Sequence, residues 1–144
     1  MLVEMTKVIL ARSDDEIAAT YDVMAQLRPH LARDAYVQLV RRLEGFHLAA
    51  VVEDDVVRAV AGYRYMEMLY CGRLMSIDDL VTDERVRSRG HGKLLLDWLK
   101  AEASRMSCAE VQLISRTSRE QAHRFYFREG MGIDAFHFRV TVER

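Results

Sequence analysis

The sequence is short of the residues that build special frameworks. It has one proline, Pro29, one tryptophan, seven glycines and two cysteines, Cys71 and Cys108. Two cysteines are too few for a disulfide framework or a structural zinc site, so both read as small core or surface residues and the cytoplasm is the default compartment. His47, His91, His123 and His137 are scattered among different segments and give no metal-ligand spacing. No Gly/Ser linker, repeat or low-complexity tract appears, so residues 1–144 read as one domain. No apolar run reaches the roughly 18 residues that a membrane span needs. The opening stretch MLVEMTKVILARSDDE mixes acids with its apolar residues and has no signal-peptide cleavage pattern. The formal charge is −1, which predicts no bulk attraction to nucleic acid or an anionic membrane.

What is present suits a soluble globular chain. Of the 144 residues, 50% are apolar and 30% charged, enough for a single core of useful size. Residues 5–11 read as a strand. Ser13 opens S-D-D-E, a capping box whose helix carries Ile17, Tyr21, Met24 and Leu27 and stops near Pro29. A second helix fits 32–44, with Tyr36, Leu39, Val40 and Leu43 on one face. Strands follow at 46–52, 56–69 and 73–82, with turns at Asp54-Asp55 and Cys71-Gly72. Leu94, Leu95, Trp98, Leu99 and Ala103 then mark an amphipathic helix to about residue 105. A short strand at 110–115, a helix at 118–128 stopped by Gly130, and an alternating strand at 135–142 complete the order β-α-α-β-β-β-α-β-α-β. Antiparallel hairpins followed by a β-α-β unit predict a mixed sheet.

The chemistry concentrates between Ile77 and Leu95. A strand runs into Arg87-Ser88-Arg89-Gly90-His91-Gly92 and then into a helix. Backbone N–H groups at a helix start lack intrahelical partners, and the helix dipole adds positive potential there. Together they form an anion site suited to a pyrophosphate. Gly90 and Gly92 let phosphate oxygens approach the backbone, and Arg87, Arg89 and Lys93 add positive charge. The glycine pattern is not a dinucleotide fingerprint, because Leu95 stands at the third glycine position, and not a P-loop, because Leu94 replaces the magnesium-binding hydroxyl.

Arg87-x-x-Gly90-x-Gly92 resembles the acyl-CoA loop of the GNAT superfamily of N-acetyltransferases. Ala122-His123-Arg124-Phe125-Tyr126-Phe127-Arg128-Glu129-Gly130-Met131 is similar to a second segment of that family, at the matching place downstream. The resemblance covers almost the whole chain. It implies an α+β, three-layer GNAT fold: a mixed, mostly antiparallel sheet of about seven strands flanked by about four helices. It further implies acetyl-CoA as co-substrate and no metal. The loop Arg87, Ser88, Arg89, Gly90, His91, Gly92 and Lys93 would hold its pyrophosphate. Leu80, Val81 and Thr82 would offer backbone groups to the pantetheine and acetyl carbonyl. Tyr126 would protonate the departing thiolate. The family often has an Asn that touches the cofactor at the start of the fourth helix, where this chain has Ser118 and Arg119 instead. Many members are dimers, and strand 135–142 would offer an edge for pairing.

Direct transfer needs a neutral amine at attack, so a nearby group must take its proton. Ile77-Asp78-Asp79-Leu80-Val81-Thr82 is similar to a stretch of the diamine N-acetyltransferases. That likeness makes Asp78 the candidate base and Asp79 a substrate-facing acid. Strand alternation would send the two to opposite faces, and Glu67 on the preceding strand is a further candidate for holding the amine. The Met-rich strand region (Met66, Met68, Met75) reads as core or pocket lining. These acids predict a small cationic primary amine as acceptor. A protein lysine or N-terminal acetyltransferase, and a non-catalytic acyl-CoA-binding domain, are the alternatives. Intact Arg87, Gly90, Gly92 and Tyr126 speak against the last.

Overall fold

A computed structural model describes residues 5–144. The chain forms two compact units, one running to Leu113 and one comprising Ile114–Arg144. The first holds β1 (Thr6–Leu10), α1 (Asp14–Ala19), α2 (Tyr21–Leu27), α3 (Arg33–Arg42), β2 (Phe46–Glu53), β3 (Val56–Met68), β4 (Gly72–Thr82), a short 3-10 turn (Glu84–Val86), α4 (His91–Arg105) and β5 (Glu110–Leu113). The strands lie in the order β1-β2-β3-β4-β5. The first three pairings are antiparallel and β4–β5 is parallel, so the sheet is mixed and mostly antiparallel as expected.

Each face of this sheet carries helices, which gives three layers. On one face Leu48, Val60 and Val81 pack with Ile17, Val23, Met24 and Tyr36 of α1–α3. On the other, α4 buries Leu95, Leu96, Leu99 and Ala103, and Trp98 meets Tyr63 edge-on at 6.4 Å between ring centroids. Each fully buried leucine contributes about 1.5–3 kcal/mol, so this helix is fixed mainly by its packing. Leu94, assigned to the apolar face by its spacing, is instead 40% exposed, and Leu96 takes the core position. β2 is buried from Leu48 to Glu53 because helices cover both its sides.

Local chemistry explains several boundaries. Ser13 and Glu16 close the capping box of α1. The expected single helix breaks at Thr20, whose buried hydroxyl donates to the Ile17 carbonyl at 2.7 Å and so accepts from the Tyr36 hydroxyl at 2.8 Å. Asp54 and Asp55 form the β2–β3 turn in left-handed conformation, at φ 49° and 66°.

The second unit contains α5 (Glu120–Arg128), ended by Gly130 at φ 89°. The strand expected at 135–142 does not form: these residues carry no regular secondary structure. Their alternation is intact, with Phe136, Phe138, Val140 and Val142 all at least 78% exposed. A strand exists only through its ladder, and among the described residues none pairs with this segment. Among the described residues the sheet has five strands, close to the approximate seven expected.

Candidate active site

The site begins where β4 outruns β5. The parallel ladder runs from Leu74↔Glu110 to Ile77↔Leu113 and stops there. β4 continues to Thr82, paired with β3 as far as Ala59↔Thr82. Among the described strands, residues 78–82 thus have a neighbour on one side only, and Leu80, Val81 and Thr82 lie in this half-open stretch. Such backbone groups require other partners, whether water or a ligand.

A bulge sits at the point of separation. Gly62 pairs with Asp79 and Tyr63 with Ile77, so Asp78 is an extra residue with no counterpart on β3. This corrects the expectation that Asp78 and Asp79 point to opposite faces, because the bulge interrupts the alternation. Both reach arginines associated with the α1–α3 layer. Arg28, which caps the end of α2, donates from Nε to Asp79 Oδ1 at 2.9 Å and from Nη2 to the Asp78 carbonyl at 3.0 Å. Arg64 donates from Nε to Asp78 Oδ2 at 2.7 Å while its guanidinium lies over the Phe46 ring. Burial pushes the Asp79 carboxyl above its usual pKa, and Arg28 opposes that shift. Glu67 does not join the cluster. It stands opposite Arg73 beside the β3–β4 turn, five residues along β3 from Gly62, or about 17 Å at strand spacing. Arg28 and Arg64 were not legible as site residues, since nothing local in the sequence marks their long-range partners.

Beyond Thr82 the chain turns towards α4. Asp83 is fully buried, accepts from the Arg85 side chain and from Gln26 Nε2, and is held well below the usual carboxylate pKa chiefly by Arg85. Arg87, Ser88, Arg89 and Gly90 are exposed. Ser88 and Gly90 are both left-handed, at φ 69° and 87°, and Gly90 is the N-cap of α4. The cap supplies no side-chain acceptor and the first turn has no acid, so the leading N–H groups are left for another partner. A Cβ placed on Gly90 would meet no atom within 4 Å, so the space before the helix is open. These features fit a pyrophosphate. Lys93 pairs with Asp97 one turn on, at 3.0 Å. The His91 ring is 4% exposed and turns inward to Glu53, which leaves the His91 backbone as its route to a ligand.

In the second unit Tyr126 is buried on α5 with its ring edge-on to Phe125 at 5.7 Å between centroids. Burial raises its pKa and nearby Arg119 lowers it. The phenol therefore keeps its proton at neutral pH. Among the described residues no group of three His, Cys, Asp or Glu side chains could hold a metal ion. No helix there is long and apolar enough to cross a membrane.

The chain belongs to the acetyltransferase (GNAT) family, whose model matches residues 9–133. It is 34% identical over 134 residues to the uncharacterized N-acetyltransferase YhdJ of Bacillus subtilis (strain 168), covering 90% of this chain and 94% of that one. It is 29% identical over 92 residues to the aminoalkylphosphonate N-acetyltransferase of Salmonella typhimurium, covering 64% of this chain and 58% of that one. Among solved structures, aminoglycoside N-acetyltransferase AAC(6')-Iy in complex with CoA superposes with a TM-score of 0.80 at 13% identity, over 99% of this chain and 96% of that one. At that identity the likeness shows the shared fold.

Proposed function

We propose that the chain transfers an acetyl group from acetyl-CoA to a small cationic primary amine by direct attack. The observation that carries this reading is the half-open edge of β4 at Leu80–Thr82 followed, after an internally hydrogen-bonded turn, by the open N-terminus of α4. The strand edge would take an extended thioester arm and the helix start its pyrophosphate. The bound CoA in the aminoglycoside N-acetyltransferase of the same fold supports it. The family match crosses both compact units, which supports treating them as one acetyltransferase domain.

In the proposed reaction the amine nitrogen attacks the thioester carbonyl, a C–N bond forms and the C–S bond breaks. Asp78 takes the amine proton through water, and Tyr126 gives its proton to the thiolate. Asp78 suits the first task because its side chain is 33% exposed, against 14% for Asp79. Asp79 holds the ammonium, for which the acceptor competes with Arg28; Glu67 lies too far along the strand to share the work. The named substrates of relatives, an aminoalkylphosphonate and an aminoglycoside, are both amines. A homodimer, as many members of the family form, is tested by light scattering; the segment 135–142 offers it no strand edge. The main test is thiol release from acetyl-CoA across a panel of amines and peptides. Asp78→Asn lowers turnover and Asp79→Asn raises the amine KM. Wild-type kinetics in both variants would make the acids structural, and a neutral or anionic best acceptor would refute the charge argument.

A further inference from the structure

The loop that presents Gly90 and Gly92 is tied at both ends to one residue of β3. At its start, the Asp83 N–H donates to the Arg58 carbonyl at 2.8 Å. At its end, the His91 ring meets Glu53 Oε2 at 3.1 Å through Nε2, and Glu53 Oε1 accepts from Arg58 Nε at 3.3 Å. A carboxylate only accepts, so the ring donates from Nε2. The His91 hydrogen bond is the largest of the influences that hold the Glu53 carboxyl below its usual pKa, and so keep it ionised. Both groups are buried, His91 at 4% and Glu53 at 8% exposure. The His91 Nδ1 has no partner among the described residues, so the ring has a single polar attachment, and that attachment is Glu53. Between these ties, residues 87–90 are exposed.

We infer that Glu53, His91 and Arg58 form a buried frame that positions the loop amides for the pyrophosphate of acetyl-CoA. This rests on the assignment of the loop under the proposed function. Glu53 ends β2 beside a two-residue turn, and the turn's left-handed Asp54 and Asp55 leave it little freedom. His91 is the first residue of α4, so a fixed ring fixes the first turn of the helix, where the N–H groups point at the anion. Arg58 carries the link back to Asp83. The three side chains are positioning groups and do not touch the donor; only the His91 backbone faces it.

The test compares acetyl-CoA with S-acetylpantetheine, which carries the same thioester and lacks the pyrophosphate. Glu53→Ala is expected to raise the KM for acetyl-CoA about tenfold, the size of one charge-assisted hydrogen bond. The KM values for S-acetylpantetheine and for the amine, and kcat, stay within about twofold by the same reasoning, since the reacting end is untouched. Glu53→Gln, which retains an acceptor for His91, restores most of the loss. If Glu53→Ala does not fold, His91→Phe keeps an aromatic ring without the Nε2 donor, leaves Glu53 with Arg58, and should give the same selective loss. Equal weakening of both donors, or no change in either, overturns the frame. A wild-type enzyme that does not prefer acetyl-CoA to S-acetylpantetheine would instead refute the loop assignment.

Discussion

Gly62 lies at the bulge, and Gly62→Ala is the most exacting probe of the acid cluster. A Cβ there would stand 2.4 Å from Phe46 Cζ and 2.6 Å from Asp79 Oδ2. Carbon atoms rest at about 3.5–4.0 Å, so something must move by about 1 Å. Phe46 is covered by the Arg64 guanidinium and Asp79 is held by Arg28, so relief in either direction disturbs an ion pair. Overpacking of this kind costs about 1–3 kcal/mol. Loss of glycine's freedom in the unfolded chain offsets about 0.4–1 kcal/mol of that. A net loss near 1.5 kcal/mol corresponds to a fall in Tm of about 3–6 °C for a chain of this size. Moving the Asp79 carboxylate should also raise the KM for the best amine and leave that for acetyl-CoA nearly unchanged. Differential scanning calorimetry and two-substrate kinetics read both effects. An unchanged Tm with an unchanged amine KM would refute the packing argument and remove Asp79 from the acceptor site.

Three further outcomes are expected. Gly90→Glu abolishes CoA binding by calorimetry, because it puts a side chain and a negative charge into the open space before α4, and also strains a residue at φ 87°. Tyr126→Phe lowers turnover with little change in acetyl-CoA affinity, since the ring still packs and only the acidic proton is lost; unchanged turnover would assign the proton to another donor. Asp83 has its pKa lowered in the folded state, so its contribution to stability is present above the unfolded value of about 3.9 and fades as pH falls below it. Asp83→Asn should therefore flatten the acid limb of a stability-against-pH curve measured by urea unfolding, and an unaltered limb would contradict the Arg85 pairing.

The sequence by itself determined what depends on near neighbours. The capping box at Ser13, the left-handed turn at Asp54-Asp55, the Gly90 helix start and the apolar spacing of α4 all act within a few residues, so local pattern located them. Motif spacing was enough to indicate the acetyltransferase family, which the match over residues 9–133 established. Tertiary structure decided what depends on partners far away in the chain. Alternation could not reveal the bulge at Asp78, because a bulge is a mismatch between two strands. Nor could it show that Arg28 and Arg64 answer Asp79 and Asp78, pairings separated by 51 and 14 residues. Sequence placed His91 only as a member of the cofactor loop, and Glu53, 38 residues away, draws its ring inside. The segment 135–142 has the period of a strand but no ladder, since alternation specifies which side chains share a face and only a paired neighbour satisfies the backbone.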